Sequence, residues 1–466
     1  MLKLHIVQAA KGDCLILEYG AAGEPHYMLV DGGPSGIYPS HLRAELARIA
    51  GAGGRLDRVV LSHIDDDHAH GLVDFLNDLV AEKDKGGDLL IQVGELWHNT
   101  FSQIAGATNV AALRTLLARQ QLLDAPEPDT AAAADAAPAA DATPPAGSRG
   151  ILTPIPGQRA ARDVEPQSLL TEEIALPDGT LAQAYARGGP AQPSGPAQPS
   201  GPAQPSGPAQ PGLTEQALLD LQRALLLDPA DRSLTQGDDL TRRAARLSIQ
   251  INPQFSAAPD GKICADYLPA PVETDGLTLT IAGPSQTNLD QLKQRWEAWL
   301  AARAVGAFDT SYTNLSSIMF LAESGGKSIL FTGDGRGDAL LAALRRSGRL
   351  AGGTLHVDVL KMPHHGSSRN VPPELFTTIT ADRYVISADG ENGNPDQDTL
   401  QAIAAAAKAA GRPFEIWITN ETDTTRWFRA HYDPAEYQYR WVLLPEGHDA
   451  FVLDLDVLPS LAAAIG

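Results

Sequence analysis

The stretch Leu61-Ser62-His63-Ile64-Asp65-Asp66-Asp67-His68-Ala69-His70-Gly71 governs the reading of the whole chain. An apolar run, Val59, Val60 and Leu61, stops abruptly in six side chains able to bind a metal. The end of a buried strand is a rigid platform. From the turn beyond it, imidazole nitrogens and carboxylate oxygens can converge into a donor set that suits zinc or manganese. Three successive carboxylates repel one another if buried, and one or two divalent cations are the simplest compensation. The bland alternative is a solvated acidic turn that caps a helix starting at Gly71, but a cap needs one Asp and leaves the histidines unused.

Two further clusters reinforce the first. Ser328-Ile329-Leu330-Phe331-Thr332-Gly333-Asp334 is a second apolar strand ending in Gly and a carboxylate, which alone would read as an ordinary turn. A third strand, 357–362, hands over to Pro363-His364-His365-Gly366-Ser367-Ser368, and paired histidines at a strand end before Gly are seldom core residues. Asp31-Gly32-Gly33 follows a strand expected at 26–30.

Taken in order, Asp31-Gly32-Gly33, His63-x-Asp65-x-Asp67-His68, Gly333-Asp334 and His364-His365-Gly366-Ser367 resemble the motifs of the metallo-β-lactamase fold. Asp65 in place of the usual second histidine, together with the His-His-Gly-Ser ending, is similar to ComEC-like DNA-uptake hydrolase domains and to bacterial phosphorylcholine esterases. The resemblance covers residues 1–100 and 277 to about 400. It implies an α/β fold, the αββα four-layer sandwich, with two zinc ions per chain and manganese as the alternative. His63 and Asp65 would bind one ion, Asp67, His68 and His365 the other, and Asp334 would bridge them. Asp67, Asp334 and His364 make up the expected catalytic set, and Asp31 is expected to anchor the motif loop.

One segment departs from the family pattern. Where many relatives carry another metal-binding histidine, this chain has Ser311-Tyr312-Thr313-Asn314-Leu315-Ser316-Ser317. Asn314 resembles the asparagine of ComEC-like members. With His364, Ser367 and His98 it forms the expected substrate-binding set; His98 is read either as a replacement ligand or cleft residue, or as a hydrogen-bonded histidine on the rim. Lys361, beneath His364, is a further candidate to stabilise a pentavalent phosphorus or to protonate a leaving oxygen. Ser368 reads as a turn cap, and His70 as solvated at a helix start.

The chain has 466 residues, 43 % of them hydrophobic, which is room for one large α/β domain or two ordinary ones. Its 36 Lys plus Arg against 57 Asp plus Glu give a net charge of −21, a field that repels polyanions unless locally reversed and that excludes a general nucleic-acid coat protein. Cys14 and Cys264 match no zinc pattern and read as buried reduced thiols. The N-terminus lacks a charged segment followed by an apolar one, and no apolar run approaches a bilayer span, so the chain is expected to be cytoplasmic with no membrane partner.

Residues 1–104 and 276–466 are expected to form the two halves of one domain. The intervening 105–275 read as an insertion with short helices and low-complexity linkers at 125–148 and 188–212. Gly-Pro-Ala-Gln-Pro-Ser recurs within 188–212, and such composition favours an extended, partly disordered spacer over a packed core. Apolar spacing predicts strands at 4–8, 14–19, 26–30, 58–62 and 89–95, with helices at 41–50 and 71–82. The second half is expected to hold strands at 277–282, 317–323, 328–332, 357–362, 383–386, 414–419 and 439–444, with helices at 290–302, 337–347 and 395–409.

The function expected first is that of a dinuclear zinc phosphodiesterase or nuclease acting through a metal-bridging hydroxide on a phosphate ester or nucleic acid. The same site can hydrolyse a carboxylic ester, lactone or thioester. The missing histidine also admits a degenerate site in a binding or regulatory module. Stand-alone proteins of this subgroup resemble components of bacterial defence systems, which implies a protease or sensor partner encoded nearby.

Overall fold

Strand-forming runs from both ends of the chain assemble into two facing sheets, in a computed structural model that describes residues 1–100, 103–104, 106, 171–175, 181–186, 229–267, 270–301 and 310–457. Among the described residues the first sheet contains β1 (Leu2–Val7), β2 (Leu15–Ala21), β3 (Glu24–Val30), β4 (Leu56–Val60), β5 (Val93–Trp97), β6 (Thr171–Ala175), β7 (Leu181–Ala186), β8 (Gln250–Ile251) and β17 (His448–Asp454). Their order is β6-β7-β17-β1-β2-β3-β4-β5-β8. The second sheet contains β9 (Val272–Thr274), β10 (Leu277–Gly283), β11 (Met319–Ser324), β12 (Lys327–Phe331), β13 (Leu355–Lys361), β14 (Ile379–Ile386), β15 (Phe414–Ile418) and β16 (Tyr439–Leu443), in the order β16 back to β9.

The inward-pointing side chains meet in one apolar core. Leu4, Leu17 and Met28 from the first sheet pack with Phe320, Phe331 and Val359 from the second. Helices cover the outer faces: α1 (Arg43–Gly51), α2 (Asp66–Asp84) and α3 (Pro229–Leu247) lie with the first sheet, while α4 (Gln286–Ala301), α5 (Gly337–Arg346), α6 (Gln397–Ala409) and α7 (Asp423–His431) lie with the second. On α2 the buried Leu72, Phe75, Leu76 and Leu79 form a stripe at helical spacing. Leu340, Leu344, Leu400, Ile403 and Phe428 do the same for the second sheet. The expected αββα four-layer sandwich is therefore the observed architecture.

What positions the site is strand direction. β3, β4 and β5 run parallel, as do β12, β13, β14 and β15. Their carboxyl ends lie along one rim, where ligands of open α/β sheets gather. The loops leaving those ends carry Asp31, Ser62 to Asp65, Asp334, His364 and His365.

Several elements differ from the expectation. Within the stretch 105–275, expected to be an insertion, β6, β7 and β8 join the first sheet and β9 the second. α7 was not foreseen, and two further differences bear on the site and the chain's closure. The helix expected at 71–82 begins five residues earlier, at Asp66, so Asp66, Asp67, His68 and His70 belong to its first turns. Carboxylates are favoured there by the unpaired amides of a helix start, a signal that apolar periodicity does not carry. β17 was not expected at all; it lies between β1 and β7, returning the end of the second half to the first sheet. The low-complexity tracts 125–148 and 188–212 lie outside the described residues. No described helix is long and apolar enough to cross a membrane.

Candidate metal centre

Asp31 builds the platform. It follows β3 in the left-handed conformation, φ +59°, which a non-glycine residue adopts only at a cost. Its carboxylate is 1 % exposed and accepts the Ser62 amide and the Ser62 hydroxyl, each at 2.7 Å, and the His68 Nδ1–H at 2.9 Å. Asp31 thus ties the end of β4 to the first turn of α2. The two segments touch through glycines: a Cβ on Gly71 would lie 1.9 Å from the Gly32 carbonyl oxygen, so neither position has room for a larger residue. The Gly32 amide donates to the His68 carbonyl at 2.8 Å and the Gly71 amide to the Gly33 carbonyl at 2.9 Å.

From the second sheet, β12 ends in Gly333 and Asp334, and β13 ends in Pro363 to Gly366. His364 and His365 both take positive φ, +48° and +54°, so the chain reverses sharply and aims two adjacent imidazoles at the same rim. The His364 amide donates to the Gly333 carbonyl at 3.1 Å. His365 Nδ1 donates to the Ser387 carbonyl at 2.8 Å, which leaves Nε2 with a free lone pair.

These segments converge on Asp334, which is 2 % exposed. Its Oδ1 lies 3.2 Å from His68 Nε2 and 3.4 Å from His365 Nε2, and its Oδ2 lies 3.5 Å from His364 Nε2 and 3.9 Å from His63 Nε2. Asp65 Oδ2 is 3.4 Å from His63 Nε2, while its Oδ1 accepts the Thr313 hydroxyl at 2.5 Å. Asp67 closes the other side, 3.6 Å from His365 Nε2 and 3.9 Å from His68 Nε2. His63, Asp65, Asp67, His68, Asp334 and His365 are therefore brought together, and His364 joins them with its Nε2 turned inward.

Four atoms at this focus, His63 Nε2, His68 Nε2, His365 Nε2 and Asp334 Oδ1, are buried without a hydrogen-bond partner. Leaving one such atom unsatisfied costs about 1–3 kcal/mol, and four converging nitrogen and oxygen donors fit a divalent cation. Electrostatics points the same way. Burial alone would raise the Asp334 carboxyl, but His365, His68 and His364 hold it well below the usual range. Burial, the largest single effect, would lower His68 and His365, but Asp334 together with Asp31 and Asp67 at His68, and with Asp13 at His365, outweighs it and raises both well above an ordinary imidazole. The pocket demands positive charge, from protons or from a cation.

Asp13 is the residue that the sequence reading missed. Among the described residues, one donor atom each from Asp13, His68, Asp334 and His365 lie within 4.8 Å of one another. Asp13 faces the rear nitrogens of the imidazoles, 3.4 Å from His365 Nδ1 and 3.8 Å from His68 Nδ1, and Lys361 Nζ sits 2.5 Å from its Oδ2. Burial would raise the Asp13 carboxyl, and Lys361, His365 and His68 together lower it instead. It behaves as an orienting group behind the donors. Its neighbour Gly12 is packed against the first turn of α2, where a Cβ would strike the Asp67 carbonyl oxygen at 1.8 Å, and no pattern in the sequence marks Asp13 as part of the site.

The match to known families falls on this framework. The family model described as the metallo-beta-lactamase superfamily matches residues 12–158. No curated protein matches the chain. With the donor cluster, the superfamily match supports a metal-dependent hydrolase.

Several expected site residues stand elsewhere. Lys361 is 1 % exposed, paired with Asp13 and donating to the Met362 carbonyl at 2.9 Å, so it cannot meet a leaving group. His98 is fully buried: its Nε2 meets the Thr241 hydroxyl of α3 at 3.2 Å, its Nδ1 has no partner, and burial pushes its pKa down to about 4. It neither joins the donor cluster nor lines the cleft. Asn314 does stay at the mouth, with its amide nitrogen 3.4 Å from His364 Nδ1. Ser367 is buried and its amide donates to the His364 carbonyl at 2.8 Å, closing the histidine turn, while Ser368 pairs with Asp396 as a turn cap. His70 pairs with Asp66 at 3.0 Å, outside the cluster.

Proposed function

We propose that the chain is a dinuclear, zinc-dependent phosphodiesterase. The observation that carries this reading is the division of labour at Asp334, one oxygen facing His68 and His365, the other facing His63 and His364. A carboxylate so placed suits a bridge between two ions. His63, Asp65 and His364 would hold one, with His364 standing in for the histidine that the Asn314 segment lacks, and Asp67, His68 and His365 would hold the other. When bound, such a pair supplies Lewis acidity and a water ionised near neutral pH.

The chain's own residues supply orientation and charge. Asp31 fixes the His68 tautomer by accepting from Nδ1, the Ser387 carbonyl does the same for His365, and both Nε2 atoms are left free to bind. Asn370 Oδ1 lies 3.0 Å from His364 Nδ1 and sets that ring in the same way. The mouth beside His364 carries guanidinium groups and amides, which favours an anionic phosphate ester over a neutral carboxylic ester or thioester.

Metal analysis and turnover test this directly. Purified protein is expected to carry two zinc or manganese ions per chain and to hydrolyse bis-(p-nitrophenyl) phosphate. Asp334→Asn is expected to lower metal affinity by at least about 100-fold and to abolish turnover, with an unchanged circular dichroism spectrum. A metal-free, inert wild type would favour a binding or regulatory module, and faster turnover of a thioester or lactone would favour the carboxylic-ester reading.

A further inference from the structure

A cleft of about 660 Å³ opens beside the donor cluster, with His364 common to both and Asn314 on its wall. Its walls come from α4, the segment before β11 and the loops after β12 and β13. Among the described residues that line it are three arginines, Arg295, Arg336 and Arg369, and no Asp or Glu. That composition runs against the rest of the molecule, where acidic residues outnumber basic ones by 57 to 36. Arg295 and Arg369 are exposed and, among the described residues, neither has a carboxylate partner; Arg336 pairs with Asp338 at 2.7 Å. The Arg295 guanidinium lies 4.7 Å over the Tyr312 ring, a cation–π contact that keeps it at the cleft. Asn314 and Gln291 add amide groups to its wall.

We propose that this cleft is an anion subsite, which holds a second phosphate of the substrate beside the bond being cleaved and makes the enzyme selective for phosphodiesters that carry one, such as a 5′-phosphorylated oligonucleotide. The substrate class rests on the phosphodiesterase reading above; the anion site itself does not. An acidic protein repels a polyanion at long range, and beyond about 10 Å that repulsion is screened at 0.1 M salt. Inside the cleft the local sign is reversed. Guanidinium groups without carboxylate partners can meet phosphate oxygens in bidentate fashion, and the volume falls in the range of small-ligand pockets.

The test compares wild type with the Arg295→Gln/Arg369→Gln double variant of the full chain, both changes being on exposed side chains. The ratio of kcat/KM for a dinucleotide bearing a 5′-phosphate to that for bis-(p-nitrophenyl) phosphate is expected to fall about ten-fold or more, carried by KM. An equal loss on both substrates, or none on either, overturns the subsite. Calorimetric titration with thymidine 3′,5′-bisphosphate reads the site without turnover. Binding that weakens about ten-fold in the double variant and survives in Asp334→Asn upholds the anion site even if no diester is cleaved, in which case only the reaction assignment falls. Equal binding by wild type and double variant, or binding by neither, overturns it.

Discussion

Asp13 and Lys361 are 1 % exposed and face each other at 2.5 Å beneath the donor cluster. A buried pair of this kind adds little net stability over an apolar pair, but removing one partner strands the other charge in a dry interior, which costs about 3–5 kcal/mol. Asp13→Ala should therefore destabilise the protein by about 3 kcal/mol in urea unfolding. Asp67→Ala, at a half-buried position whose neighbours are imidazoles, should move stability far less while removing metal. Equal stability losses would mean that both carboxylates are structural. The contrast also explains what could be read at the residue scale. His63, Asp65, Asp67 and His68 stand out because four donors crowd six positions, and Asp334 and His365 stand out as strand endings. Asp13 is a lone acid whose role is defined by a lysine 348 positions away, and no local pattern records that. His98 is the opposite case: at a strand end it reads equally as a ligand or as a hydrogen-bonded histidine, and only the packing of α3, whose Thr241 hydroxyl it meets, distinguishes the two.

At the scale of elements, the parallel strands were legible because each is an apolar run with a sharp polar stop, and their ends rarely shift by more than a few residues. The start of α2 and the whole of β17 were less so, since Asp-Asp-His-Ala-His and His-Asp-Ala-Phe-Val-Leu-Asp lack a clean period. The seam between β5 and α3 offers a test with a defined sign. His98 is buried there without any compensating acid, and its pKa falls from 6.5 to about 4. The unfolded chain therefore binds this proton more readily than the native state. The stability carried by neutral His98 is complete above pH 6.5 and is lost as pH falls from there toward 4, about 3 kcal/mol in all. His98→Gln removes the titration. Its stability deficit relative to wild type, measured by urea unfolding, should be largest at neutral pH and shrink by that amount as pH approaches 4. A deficit constant with pH would show that solvent reaches the ring and that α3 does not seal it.

At the scale of the whole molecule, the donor cluster exists only because two sheets distant in sequence share a core, and β17 is the strand that binds the end of the chain to its beginning. It pairs with β1 from Lys3 opposite Asp454 to Val7 opposite Ala450, and the Leu455 amide donates to the Leu2 carbonyl at 3.0 Å. On its inner side Phe451, 1 % exposed, stacks on Trp417 of the second sheet with ring centroids 5.2 Å apart and planes 9° from parallel. A ring that belongs to one sheet and packs on the other couples their stabilities, because neither face can be exposed without breaking the shared contact. Phe451→Ala leaves a cavity between the sheets and should cost about 3–5 kcal/mol. The loss should appear as one earlier transition, with tryptophan fluorescence and far-ultraviolet circular dichroism moving together, and with metal released over the same range because His63 and His68 come from one sheet and Asp334 and His365 from the other. Separate transitions in the two signals, or metal retained after the first of them, would show that each sheet stands by itself and that the centre does not depend on the strand closing the chain.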